Sequence, residues 1–280
     1  MDRKRLKDWA KQAVGRNYWS SVLVSFILST VLGAGVSSGS SSNSDSDLSS
    51  IGNFSEKEQM LFVIVMLIVM AFVFVVWLVV NVFKVFLLNP LEVGCQGYFC
   101  DGLGYNKAQL SALDKGFKPN YKNIIKTMFF RDLFLWLWSL IGLIPGMVGA
   151  FVCAYGLVSS QNTSDQIFYI VMLLVLIVLC CLLDIPRLIK KYEYRMIPYI
   201  LADNPNMPRK QVFAMTKQMM EGSKWNTFVL DLSFLGWHLL NLCACGMLSI
   251  FYVRPYQNYT NAALYKMLLP KVEKVNGPQM

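Results

Sequence analysis

MLFVIVMLIVMAFVFVVWLVVNVFKVFLL, residues 60–88, contains one charged residue and one amide in 29 positions. About 20 helical residues cross the ~30 Å hydrocarbon core of a bilayer, so this run predicts a membrane span with length to spare. Asn81 and Lys84 fall in its last turns, where a lysine stem lets its ammonium reach the headgroups.

The same signal recurs on both sides of it. SSVLVSFILSTVLGAGV (20–36), Leu133 to Val158, and IFYIVMLLVLIVLCCLL (167–183) are apolar runs of crossing length. Across 280 residues, 55% are apolar and only 15% charged, a composition outside the soluble globular range. The fold class this predicts is all-α, a polytopic helical membrane protein with short amphipathic interfacial helices.

A basic stretch precedes the first run. Cleaved signal peptides and uncleaved first spans both begin this way. Leu6, Trp9, Ala10, Ala13 and Val14 recur at helical spacing, which favours an amphipathic helix ahead of an uncleaved span. Residues 37–59, rich in serine with four acids and one lysine, are expected to be a loop unable to bury a core.

Lys and Arg then set the orientation. Six precede the first run and one lies in the serine-rich loop. Six fall between Lys107 and Arg131, none between the third and fourth runs, and eight between Arg187 and Lys224. That alternation puts the N-terminus in the cytoplasm. Residues 227–269 are too long for one span and marginal for two. Lys266, Lys271 and Lys274 favour a cytoplasmic end, so an even count is expected, with a tight turn near Cys245-Gly246. The reading is six spans, at about 18–36, 60–88, 133–158, 166–186, 227–243 and 246–265 of a single 1–280 domain. The loop 37–59 lies outside, and segments 1–17, 89–132 and 187–226 lie in the cytoplasm.

Composition also removes functions. The net charge of +9 follows from retained cytoplasmic Lys and Arg, and no basic-aromatic motif marks a nucleic-acid binder. Most of the seven cysteines lie in apolar runs, and Cys95 with Cys100 lacks further ligands for zinc, so no metal and no cofactor is expected. The glycines of residues 94–116 have no G-K-[ST] and no preceding strand. They read as a punctuated cytoplasmic loop, not a phosphate cradle. In the third run, Pro145 predicts a kink, and Gly142, Gly146 and Gly149 a face for close helix packing.

KYEYRMIPYILADNP, residues 191–205, reads as an exit from the membrane. Tyr192, Tyr194 and Tyr199 fit an aromatic belt, while Lys190, Lys191 and Arg195 would face anionic headgroups. Pro198 interrupts helix, and Asp203, Asn204 and Pro205 are turn chemistry. PRKQVFAMTKQMMEG then predicts a surface helix, Pro208 at its start and Gly222 as its cap, with Val212, Met215, Thr216 and Met219 on one face. Further on, Asp231, Trp237 and His238 place polar groups inside a span. Asp231 and His238, seven apart, would share a helix face as a structural pair, a proton relay or a substrate contact. No nucleophile–base or carboxylate-dyad pattern points to catalysis.

Five stretches together resemble a known family. They are RLKDWAKQAVGRNYW, NPLEVG, IPRLIKKYEYRMIPYILADNP, KQMMEGSKWNTFVLDLSFLGWHLL and RPYQNYTNAALY, in the order of the membrane family catalogued as domain of unknown function family 975. The resemblance implies a multi-pass helical protein of the Gram-positive cell membrane. Family members run from an LW-x-LL-x-IPG motif almost directly into the YILADNP motif. Here LWSLIGLIPG (137–146) stands about forty residues before it, which implies an additional loop and span.

The expected role is non-enzymatic: a membrane scaffold, regulator or envelope-homeostasis factor working through its cytoplasmic face. Its expected partners are anionic lipid headgroups and a protein partner or second copy, with no nucleic acid. Transport of a small or amphiphilic solute is the competing reading. The expected functional collar is Lys191, Tyr194, Arg195, Pro198, Asp203, Asn204 and Pro205, with Asp231, Trp237 and His238 as the intramembrane polar site.

Overall fold

The structure, a computed structural model, describes residues 2–31, 56–104, 108–117, 120–160, 162–243 and 246–276. Among these there is no strand, and almost every residue is helical. The serine-rich segment up to residue 55 lies outside the described residues.

The chain opens with α1 (Arg3–Arg16), capped by the Asp2 carboxylate, and α2 (Tyr18–Val31). After the undescribed loop come α3 (Glu56–Phe83), a π turn (Lys84–Leu88) and α4 (Asn89–Gly102). A 3-10 segment (Leu110–Gly116) leads to α5 (Tyr121–Ser159) and α6 (Thr163–Leu183). Then follow α7 (Ile185–Glu193), a 3-10 turn (Tyr194–Met196), α8 (Ile197–Asp203) and α9 (Arg209–Met220). The chain ends with α10 (Lys224–Leu232), α11 (Leu235–Cys243), a second π turn (Ser249–Val253) and α12 (Arg254–Asn276).

Prolines start three of these helices, one of them at Pro198, where the sequence suggested an interruption. Pro90, Pro186 and Pro198 each occupy a first-turn position of α4, α7 and α8, where a missing N–H is no loss. The expected exit at Pro198 is therefore a change of helix, through a 3-10 turn. Both π turns end just before an X-Pro pair, Asn89-Pro90 and Arg254-Pro255. Pro90 has no N–H to give the Phe86 carbonyl four residues back. That carbonyl accepts the Tyr121 hydroxyl instead.

The glycine-punctuated segment from residue 94 is the main local correction. It is not a loop: α4 is buried along nearly its whole length. Its glycines serve close approach. A Cβ on Gly94 would stand 2.2 Å from the Leu113 carbonyl oxygen, and one on Gly116 1.8 Å from that of Pro90. Only backbone without side chains brings α4 and the 3-10 segment that close. Against α4 pack α2, α5, α8 and α12. The apolar face foreseen on α1 is real, with Leu6, Ala10 and Ala13 fully buried. It is covered by protein, chiefly α12.

α5 and α6 form an antiparallel hairpin that projects from this body. Gly142 of α5 lies against Asp184, which caps α6, and Gly146, Gly149 and Gly156 lie against Cys180, Leu176 and Tyr169 of α6, the close small-residue packing expected of that face. α5 continues as one helix through Pro145. This hairpin holds the extra residues between the IPG and YILADNP motifs.

Among the described residues three helical runs, not six, are long and apolar enough to cross a membrane: Ile64–Gly102, Tyr121–Leu157 and Thr163–Asp203. α2 is shorter within the described residues, since 32–36 lie outside them. The predicted span 227–243 is instead two nine-residue helices, broken at Ser233 and Phe234. Gly246 supplies the expected turn with φ of +84°, a backbone conformation glycine adopts freely.

Candidate functional site

Arg195, Tyr199 and Asp203 recur every four residues along the run from α7 into α8, and each meets another helix. The Arg195 guanidinium donates to both Asp231 carboxylate oxygens, at 2.5 and 2.9 Å, and to Asn261 Oδ1 on α12 at 2.8 Å. The Tyr199 ring stacks on Tyr265 of α12, centroids 5.5 Å apart. Asp203 accepts from the Tyr265 hydroxyl at 2.9 Å and from Lys266 Nζ at 3.0 Å. Asn261 and Tyr265 are themselves one turn apart, so the two runs are joined rung by rung.

Asp231 is the hub of the first rung. Besides Arg195 it accepts the Tyr192 hydroxyl at 3.1 Å, and the Arg195 guanidinium sits 5.7 Å from the Tyr192 ring centre. A planar guanidinium matched to a carboxylate by two bonds is a strong, directional joint. Below it, the buried Glu193 carboxylate accepts from Lys190 at 3.0 Å and Lys224 at 2.6 Å. Thr216 of α9 donates to the Glu193 carbonyl. At the far rung, burial pulls the Lys266 ammonium down, but the Asp203 carboxylate outweighs it and holds it above the ordinary lysine value.

The two predicted sets of residues thus share a centre, though not in the way foreseen. Arg195 turns inward to Asp231, not outward to headgroups, and Tyr199 is buried, so it belongs to no aromatic belt. Tyr194 packs on Phe213, and Pro198 starts α8. Asn204 caps α8, and the Pro205 carbonyl accepts from Asn123. Lys191 and Asn204 are the collar residues that stay exposed. Asp231 and His238 do not share one helix, because α10 ends between them. The His238 side chain lies outside the described part of the structure, and Trp237 packs on Tyr252.

A second polar centre was missed. Arg131 of α5 holds Glu92 of α4 by two bonds of 2.8 and 2.9 Å, and its Nη2 also meets Asp132 Oδ1 at 2.8 Å. Asn89 donates to the other Asp132 oxygen. The signal was there: Glu92, Arg131 and Asp132 are the ionisable residues within otherwise apolar neighbourhoods, where such groups must find each other.

The described residues are thus an all-helical body fastened by ion pairs between helices, with three runs long and apolar enough to cross a membrane. The chain belongs to the family described as protein of unknown function DUF975, which it matches over residues 1–271. That match takes in the α5–α6 hairpin and both polar centres. No curated protein and no solved structure matches the chain.

Proposed function

We propose that this chain is a non-enzymatic, multi-pass protein of the bacterial plasma membrane, acting from its cytoplasmic face as a scaffold or regulator of the envelope. The observation that carries this reading is the Arg195–Asp231 joint. The ionisable groups that a relay or a catalyst would use are engaged with one another across three helices. They fix the body that presents the exposed cations Lys191, Lys210 and Lys217, which suit anionic headgroups and an acidic protein partner or second copy.

Topology follows from charge and length together. The alternation of Lys and Arg calls for an even number of crossings, with both termini inside. α3, α5 and α6 supply three, and the apolar run that begins with α2 a fourth. The short α10–α11 and α12 pair then enters and returns from the cytoplasmic side.

A second reading, passage of a small or amphiphilic solute, draws on two buried atoms. Gln96 Oε1 and Thr127 Oγ1 lie without hydrogen-bond partners, one turn from Glu92 and Arg131 respectively. Such orphans suit a wetted interior.

Complementation of a deletion strain tests the first reading. Lys191→Glu with Lys210→Glu is expected to fail to restore the envelope phenotype at normal protein level. Removal of residues 39–50 should restore it fully. The reverse pattern would put the working face outside the cell.

A further inference from the structure

In the membrane reading above, α6 uses up the bilayer before α7 begins. Its 21 residues rise about 31 Å at ~1.5 Å each, the full depth of a ~30 Å hydrocarbon core. α7 then starts where acyl chains give way to headgroups, with Pro186 in its first turn.

α7 has three unlike sides. Successive helical residues turn by about 100°, which groups Pro186, Lys190 and Glu193, then Ile185, Leu188 and Ile189, then Arg187 and Lys191. The first side belongs to the body, where buried Glu193 accepts from Lys190 and Lys224. The second is bare, its three side chains 43% to 47% exposed. The third is exposed and cationic. Asp184 offsets part of the Arg187 charge from 3.7 Å, and Lys191 carries the rest. A helix dividing body from water alone would have no use for the bare aliphatic side. A helix at a bilayer boundary does.

Its neighbours extend that side. α10 buries Thr227 and Leu230 and turns Trp225 and Leu232 outward, Trp225 by 72%. Phe228 stacks on Trp225 and meets the Tyr192 ring of α7 edge-on. α5 also packs on α7. Gly142 of α5 lies against Asp184, so the antiparallel pairing brings Trp136, six residues earlier and exposed, to the level of α7. Exposed tryptophans at that level suit the headgroup layer.

We propose that α7, with the Trp225 face of α10, is a docking ridge for the cytoplasmic surface of an anionic bilayer. Ile185, Leu188 and Ile189 enter the acyl boundary, the tryptophans sit at the glycerol level, and Lys191 and Arg187 reach the phosphates. An acidic protein would answer the cations and leave the aliphatic side uncovered, whereas lipid answers both. The proposal rests on the membrane reading and adds the surface that sets the depth of the body.

The test uses the full chain in nanodiscs, in a background without native cysteines, with one fluorophore at Leu188→Cys, at Lys191→Cys or, as a reference in α3, at Val73→Cys. The label at 188 should be quenched by lipid carrying a nitroxide near its headgroup and shielded from aqueous acrylamide, which should reach the label at 191. Equal access of acrylamide to both would overturn the ridge and leave this face to a protein partner. Quenching at 188 only by a nitroxide at the chain end would overturn the boundary position in favour of a longer span. Adding phosphatidylglycerol to phosphatidylcholine should raise headgroup quenching at 188 at least about twofold, as expected of cations near an anionic surface. Arg187→Gln with Lys191→Gln should abolish that rise, and a rise that survives would overturn the part given to the cations. A label at 73 untouched by any lipid nitroxide would refute the membrane reading instead.

Discussion

Arg195 and Asp231, 36 residues apart, close on one another through two bonds of 2.5 and 2.9 Å while Asn261 holds the same guanidinium from a third helix. The contact ties the YILADNP region to α10 and α12. It converts what looked like a lipid-facing collar into the interior fastening of the body. About a fifth of the Arg195 side chain and a quarter of that of Asp231 stay accessible, so the joint is held mainly by protein.

The Glu92–Arg131 pair should behave as a buried fastening. Its side chains are 7% and 11% exposed, and removing one partner strands the other charge. Arg131→Ala should lower stability by about 3–5 kcal/mol. Lys115→Ala, whose pair with Asp101 is exposed by a third or more, should lower it by less than about 1 kcal/mol. Thermal unfolding of the two variants in one detergent checks this ordering.

Gly116→Ala should prevent α4 from seating on the 3-10 segment. The new methyl would meet the Pro90 carbonyl oxygen at 1.8 Å, and backbone on both sides leaves nothing flexible to yield. Gly15→Ala, with open space around it, should be neutral or slightly stabilising, since alanine favours helix. Yield of monodisperse protein after extraction separates the two. Equal yields would mean the close approach is not required.

How these contacts related to the sequence differed by element. The apolar runs of α3 and α6 and the periodic faces of α1 and α9 were readable, because one-dimensional periodicity maps directly onto a buried face. α9 runs Arg209–Met220 with Val212, Thr216 and Met219 buried, and Gly222 follows at φ +68°. α4 was not readable. Five glycines between residues 94 and 116 signal a loop to any local rule, yet Gly94 and Gly116 are where two backbones touch, a property of the partner segment. The inward orientation of Arg195 was hidden for a related reason. A charged residue near the end of an apolar run looks alike whether it faces lipid headgroups or a carboxylate on a distant helix. Asp231 stood out as an ionisable group in an apolar run, but its partner, Arg195, lies on another helix.

Met219→Asp should reduce membrane yield far more than Lys217→Asp. Met219 is fully buried in the face that α9 turns to the body, and Lys217 is exposed. An unpaired carboxylate at a buried site is strongly destabilising. Expression of both as fusions read by fluorescence size-exclusion chromatography measures the difference. Similar profiles would mean the α9 face is not packed.

Topology has its own measurement. In a background without native cysteines, Ser42→Cys should react with an impermeant thiol reagent on intact cells, and Asn276→Cys should react only after lysis. Met247→Cys, beside the Gly246 turn, should also be protected if α11 and α12 enter and return from the cytoplasmic side. Labelling at 247 from outside would restore the six-span arrangement, and labelling at 276 would reverse the C-terminus.

The central claim, that the Arg195–Asp231 pair fastens the protein and performs no chemistry, is tested by removing both charges together. Replacing a buried ion pair by apolar side chains of similar size is often neutral or stabilising, whereas breaking it singly costs about 3–5 kcal/mol. Arg195→Met and Asp231→Leu should each destabilise the protein alone. Combined, they should restore the melting temperature to near wild type and complement the deletion strain in full. A double variant that folds and reaches the membrane normally but fails to complement would show that the charges themselves carry the function, and would contradict the scaffold reading in favour of transport.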